Sequence, residues 1–217
     1  GGLQFDNAEA GVALFELYVV TRDKAHLDSA RKAADWAVTR PLSRNWNYNS
    51  FSVTLLAKAF AVTGEPRYLA AAKHKALVGV IPGQLPDGPR AGRWVDPHNA
   101  KPAYHYIMMR SLAQLAAVLP VGDPARAEVV AALRLGLRAR NADLLGPGAA
   151  TKDKAMEALL LVNTVFAADA EFLRETRSVE ALDALGKLVS EQASRGGEAL
   201  GPRGWGMFLA YAAGRAR

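Results

Sequence analysis

Fifteen consecutive residues, Gly92 to Tyr106, hold Trp94, Asp96, His98, Asn99, Tyr104 and His105. An imidazole and a phenol held side by side can act as general base and general acid, and a carboxyl group can take either part. Pure scaffolding seldom gathers so many polar and aromatic groups in one short stretch, whereas a binding cleft does. A second run, Asn45-Trp46-Asn47-Tyr48-Asn49, repeats the mixture of rings and carboxamides. Outlying candidates are Gln4, Asp6 and Asn7 near the start, Gln84, Asp87, Arg90 and Arg93 ahead of the main stretch, and Lys152, Asp153, Lys154, Arg203 and Trp205 later.

The tryptophans Trp46, Trp94 and Trp205 suit stacking on the apolar C–H faces of sugar rings, and Asn, Gln and Asp suit hydroxyl groups. Each of these residues also has a purely structural use: a Trp can plug the gap at a helix end, and an Asn or Asp can cap a helix. A metal site would draw on Asp96, His98 and His105, but their spacing matches no strong ligand pattern such as His-Glu-x-x-His. His26 and His74 belong to outer helices, so no metal and no cofactor is expected. The Gly-rich pieces Gly146–Lys152 and Gly201–Gly206 follow helices and lack the Gly-Lys-Ser/Thr of a phosphate loop. No Gly-x-Ser-x-Gly elbow is present, which argues against a serine hydrolase.

The elements that position these groups follow from hydrophobic patterning. Residues 8–21 are apolar on nearly every side, as a deeply buried helix would be. After a turn at Thr21-Arg22-Asp23, residues 24–39 form an amphipathic helix with Leu27, Ala30, Ala34 and Ala37 inward. The pattern recurs: residues 51–63 are apolar, Thr63-Gly64-Glu65-Pro66 turns the chain, and 66–79 are amphipathic. At an offset of 42 residues Thr21 falls on Thr63, Asp23 on Glu65, Leu27 on Leu69, Ala30 on Ala72 and Asn7 on Asn49. This is an internal repeat of helical hairpins. Further copies run through 104–119 with 125–141, and 153–168 with 177–194. A ninth helix follows at about 204–214. No strand signal appears, so the expected class is all-α, with residues 1–217 a single domain.

Loops alternate in kind. Those after the apolar helices are short; those leading into them (40–50, 80–103, 142–152 and 194–204) are long and carry the aromatic and polar residues. In antiparallel hairpins all the long connections emerge at one end, at the N-termini of the apolar helices, so the candidate residues gather on one face.

Length and charge narrow the partners. A chain of 217 residues can bury a substantial core. Lys plus Arg exceed Asp plus Glu by 27 − 21 = 6, which favours an anionic partner at long range. The charges are interspersed without a basic run, so nucleic acid is not the expected partner. No apolar run reaches the roughly 20 residues that span a bilayer. The start, Gly1-Gly2-Leu3-Gln4, does not read as a signal peptide. With no cysteine, thiol nucleophiles, disulfides and Cys-ligated zinc are excluded.

Buried inner helices, amphipathic outer helices and a loop-built face resemble the α/α-toroid superfamily. Its members include six-hairpin glycosidases, toroidal polysaccharide lyases and terpenoid-cyclase-like toroids. The resemblance rests on the turn-plus-helix units Thr21–Ala30 and Thr63–Ala72 and on Asn45–Asn49. It implies a partial or complete ring of hairpins acting on a poly- or oligosaccharide, and in that case a periplasmic or secreted setting. A lyase is favoured slightly over a hydrolase. For a lyase on a uronic acid polymer it implies Tyr104 or His105 as base or acid, Asn99 or Asn49 neutralising the sugar carboxylate, and Arg93 clamping it. Trp46, Asn47, Tyr48, Trp94, His98 and Trp205 would then bind substrate. A hydrolase would need two carboxyl groups at a set separation, and Asp6 with Asp96 is the best pair. The alternative of another class is a non-catalytic helical-repeat module that binds a glycan, peptide or partner chain through the same face.

Overall fold

The computed structural model describes residues 3–98, 101–146, 155–195 and 201–215. They form ten α-helices: α1 (Leu3–Thr21), α2 (Lys24–Thr39), α3 (Trp46–Thr63), α4 (Pro66–Gly79), α5 (Pro102–Val118), α6 (Pro124–Leu145), α7 (Ala155–Val165), α8 (Ala170–Glu175), α9 (Ser178–Ser194) and α10 (Gly201–Arg215). A short 3₁₀ turn covers Ile81–Gly83. The chain is all-α, apart from an isolated antiparallel bridge between Gln84 and Trp94.

The helices make two layers. α1, α3, α5 and α7 pack side by side in that order, and α2, α4, α6 and α9 form a second row outside them. α3 is buried on almost every side, from Ser50 to Ala57 without interruption. That is why its sequence is apolar all round, while α2 carries its apolar residues on one stripe. Fully burying a Leu or Phe side chain stabilises by about 1.5–3 kcal/mol. The inner row, with Phe15, Leu55, Leu56, Ile107, Met108 and Leu112 all buried, therefore provides most of the driving force. Across this row Phe5 meets Phe51 edge-on at 4.6 Å, and Glu9 of α1 reaches Arg110 of α5 at 2.6 Å.

The 42-residue repeat is visible in atomic detail. The Thr21 hydroxyl donates to the Leu17 carbonyl and accepts from the Asp23 N–H. Thr63 does the same with Ala59 and Glu65. Between them Arg22 and Gly64, which occupy the same repeat position, both take the left-handed conformation, with φ of 60° and 71°. A left-handed residue closes the preceding helix and lets the next one reverse direction. Asp23 and Asp123 then cap α2 and α6 in the same way, accepting from the N–H two residues on.

Several boundaries differ from the sequence reading. α3 starts at Trp46 and not at 51, so Asn47, Tyr48 and Asn49 lie in its first turn and not in a loop. α1 begins at Leu3, so Asp6 and Asn7 lie within its first turns and not in a preceding loop. The turn after α7 contains the short helix α8. The long connection 80–101 is partly ordered by hydrogen bonds: Leu85 N–H to Arg93 O and Gly92 N–H to Leu85 O at 2.8 Å, and Val95 N–H to Gly83 O at 2.9 Å. The Gln84 amide donates to the carbonyls of Ala132 and Gly92, laying this hairpin along α6.

Gly92 makes that approach possible. Its φ is +82°, and a Cβ there would run into the Leu135 backbone carbonyl. Gly92→Ala is expected to cost at least about 1–3 kcal/mol, the scale of a non-glycine residue forced left-handed. Chemical denaturation of the variant checks this, and an unchanged midpoint would contradict it.

Candidate functional site

Asp96 organises the rim. It is almost fully buried, and its two oxygens accept from different elements: Oδ2 from the Asn47 N–H at 3.0 Å and Oδ1 from the His98 N–H at 2.8 Å. The first bond satisfies an orphan donor of the first turn of α3, where a negative charge is also favoured by the helix dipole. The second fixes the turn that presents His98. Trp46 reinforces the join, its indole Nε1–H donating to the Val95 carbonyl at 2.9 Å. The indole lies where a Cβ on residue 83 would be, so only glycine fits at Gly83.

Three rings meet on this rim. His98, exposed, lies 5.8 Å from Tyr48 of α3 and 5.9 Å from Tyr104 of α5, centroid to centroid. Both tyrosines are half-buried. Tyr48 and Tyr104 sit in the first turns of adjacent inner helices, and His98 is supplied by the strap between α4 and α5. An imidazole flanked by two phenols can pass a proton to or from a bound molecule, and the same rings can stack on it.

Several predicted site residues have other work. His105 is 2% exposed, and its Nδ1 accepts from the Trp94 backbone N–H at 3.4 Å, so it holds the strap and does not face the rim. Trp94 is fully buried, donates to the Val80 carbonyl at 2.9 Å, and packs against the gap left by Gly136; it is a core residue. Asn49 is also fully buried. Its carboxamide donates to Ser43 O and Gly79 O and accepts from Ser43 N–H, which staples the 40–45 loop. Arg93 is held by Asp143 of α6 at 2.5 Å. Asp6 is exposed on α1, and with Asp96 spent on two backbone N–H groups the proposed carboxyl pair loses its buried member. Trp205 lies on α10 against Phe208, 5.9 Å away. Asn99 and Lys152–Lys154 fall outside the described residues.

Asn47 is buried, and its Oδ1 has no hydrogen-bond partner among the described residues. Sequence reasoning missed a second cluster. Arg140 of α6 is buried and shares Asp143 with Arg93, while Tyr106 is buried nearby. Burial pushes the Tyr106 phenol up to about 12 and lowers the Arg140 guanidinium from its ordinary value, with Asp143 opposing the latter. The only advance signal was an Arg placed three residues before an Asp on an outer helix. Clefts of about 630 and 590 Å³ border α8 at the opposite end of the hairpins. In the latter, Arg134 and Asp169 neutralise one another, so the rim remains the chemically equipped face.

No family model matches this sequence, and no curated protein matches it. A solved structure described as Polysaccharide Lyase BACCELL_00875 superposes with a TM-score of 0.61 at 15% identity, over 84% of this chain and 59% of that one. The fold is helical and polysaccharide-lyase-like. At that identity the likeness speaks for the fold alone, and this chain spans less than two thirds of the lyase chain.

Asp96→Ala is expected to lose about 1–2 kcal/mol, the scale of a lost helix cap, and to loosen the strap. Denaturation combined with amide exchange at Asn47 and His98 checks this; unchanged protection at both amides would contradict it. Tyr106 gives a pH test. An unfolded tyrosine ionises near 10 and the folded one only at about 12, so in that window the folded state binds more protons and stability falls as pH rises. Tyr106→Phe should flatten the fall between about 10 and 12, measured as denaturation midpoint against pH.

Proposed function

We propose that this chain is a carbohydrate-active protein that cleaves an acidic polysaccharide by β-elimination at the Tyr48–His98–Tyr104 rim, and that its arc of hairpins is part of an α/α toroid. The observation that carries the reading is the approach of His98 to Tyr104 within 5.9 Å on an open face. An imidazole can serve as general base and a phenol as general acid. His98 therefore takes the C5 proton of the uronate, the C5 electron pair forms the C4–C5 double bond, and the C4–O4 bond breaks. Tyr104 protonates the departing O4. Tyr48 stacks on the sugar, and Asn99, next to His98 in the chain, neutralises its carboxylate. The solved structure with a similar fold is described as a polysaccharide lyase, which favours a carbohydrate substrate.

A binding role is favoured by a different observation: Asp96 and His105, two of the titratable groups that argued for catalysis, are committed to backbone N–H groups. On that reading the three rings are a stacking platform.

The test is a panel of uronate-rich and neutral polysaccharides, read in parallel by ultraviolet absorbance and by reducing ends. Absorbance from an unsaturated product is expected with uronate polymers. His98→Ala and Tyr104→Phe should each lower the rate by about 10²–10⁴-fold, the usual worth of a general acid or base, with helical content retained. Reducing ends without absorbance would overturn elimination in favour of hydrolysis. Glycan binding without either product would leave the platform reading.

A further inference from the structure

Arg93 and Arg140 come from different elements, the strap and the last turns of α6, yet both donate to one carboxylate, Asp143. The formal balance is two cations against one anion, so the cluster keeps one positive charge. Its members are unequally placed. The Arg140 side chain is 3% exposed, Arg93 22% and Asp143 40%, so the carboxylate is the part that faces water. The Arg140 Nε has no hydrogen-bond partner among the described residues, and the residue as a whole is 2% exposed. A guanidinium stays charged even this deep, so leaving it without an anion would be costly. Burial lowers its pKa and Asp143 raises it again.

The position of the cluster relates it to the rim. Tyr104 and Tyr106 are two residues apart on α5 and so point to nearly opposite sides of that helix. Tyr104 meets His98, while Tyr106 lies with Arg140 and Asp143. The arginines therefore flank the rim across the first turns of α5. A helix with its side chains is about 10–12 Å across, which an oligosaccharide bridges and a single sugar does not.

We propose that Arg93 and Arg140 form an anion subsite for a second acidic sugar of the bound chain, and that Asp143 is a resident carboxylate competing with it. Arg93 touches the incoming carboxylate or sulfate; Arg140 acts from beneath through its charge. When the glycan leaves, Asp143 neutralises the pair and keeps the buried guanidinium compensated. The inference rests on the reading of the rim as a site for acidic glycans, and adds that more than one acidic group is recognised.

The experiment is calorimetric binding of an oligouronate and of the same oligosaccharide with its carboxylates reduced to alcohols. It is made in the Tyr104→Phe background, so that no turnover intervenes. Asp143→Asn is expected to tighten oligouronate binding about tenfold, the effect of freeing one charge-assisted contact, and to leave the reduced glycan unaffected. Arg93→Gln should weaken oligouronate binding by about the same factor. A merely structural Asp143 gives the opposite sign: Asp143→Asn would lower the melting temperature and leave binding unchanged or weaker, which overturns the proposal. An equal response of both glycans, or no oligouronate binding at all, also overturns it. Should Asp143→Asn fail to fold, potassium chloride titration decides. The salt dependence of oligouronate binding should be shallower in Arg93→Gln, and equal slopes overturn the subsite. Formation of unsaturated product by the unmodified chain is scored separately, so failure of the elimination reading and failure of the subsite are told apart.

Discussion

The carboxylate of Asp96 is the interaction on which the rim depends. The strap between α4 and α5 is long, and ordering it costs about 1–2 kcal/mol of backbone entropy per residue. That cost is offset where the strap meets the helices: Gln84 and Gly92 on α6, Trp94 in the core, Trp46 on Val95, and Asp96 on Asn47. Only the last of these ties the strap to the start of an inner helix and shapes the next turn at the same time. Two N–H groups, from Asn47 and from His98, share one buried side chain, and His98 comes to rest between Tyr48 and Tyr104 as a result.

The hairpin layers make that arrangement possible. The left-handed residue at 22 and 64 reverses the chain within two residues, so each apolar helix starts at the same end as the last. Once the inner helices run parallel, their first turns form a common edge. Polar groups at that edge find partners in neighbouring loops, as Asn49 does with Ser43 and Gly79. The opposite end needs only short turns, and its charges are consumed locally, as in Lys73 with Asp123 and Arg134 with Asp169. Those pairs hold both carboxyl groups below the usual range, the hydrogen bond from the cation being the main cause in each.

Much of the fold was legible because it is periodic. The Thr-x-Asp/Glu turns, the apolar and amphipathic alternation and the long-loop face all follow from spacing. What was not legible is which of two neighbouring residues faces outward. Tyr104 and His105 differ by about 100° around a helix, so one had to turn inward, and the partner that decided it is the Trp94 backbone N–H. Asn47 and Asn49 pose the same problem two residues apart, decided by the position of the Gly79 carbonyl. A tryptophan reads alike on a rim and in a core. Trp94 went inward because Gly136 leaves space for its ring on α6, a pairing 42 residues distant. The Arg140–Asp143 spacing looks like an ordinary helical ion pair until Arg93 arrives from the strap.

The most direct test of the account is a crystal structure of the Tyr104→Phe chain with a bound oligouronate. The expected result is one sugar against Tyr48 with its C5 hydrogen toward the His98 imidazole, and the glycan continuing over the first turns of α5 toward Arg93. An oligosaccharide bound instead in the clefts beside α8, with the rim empty, would contradict it.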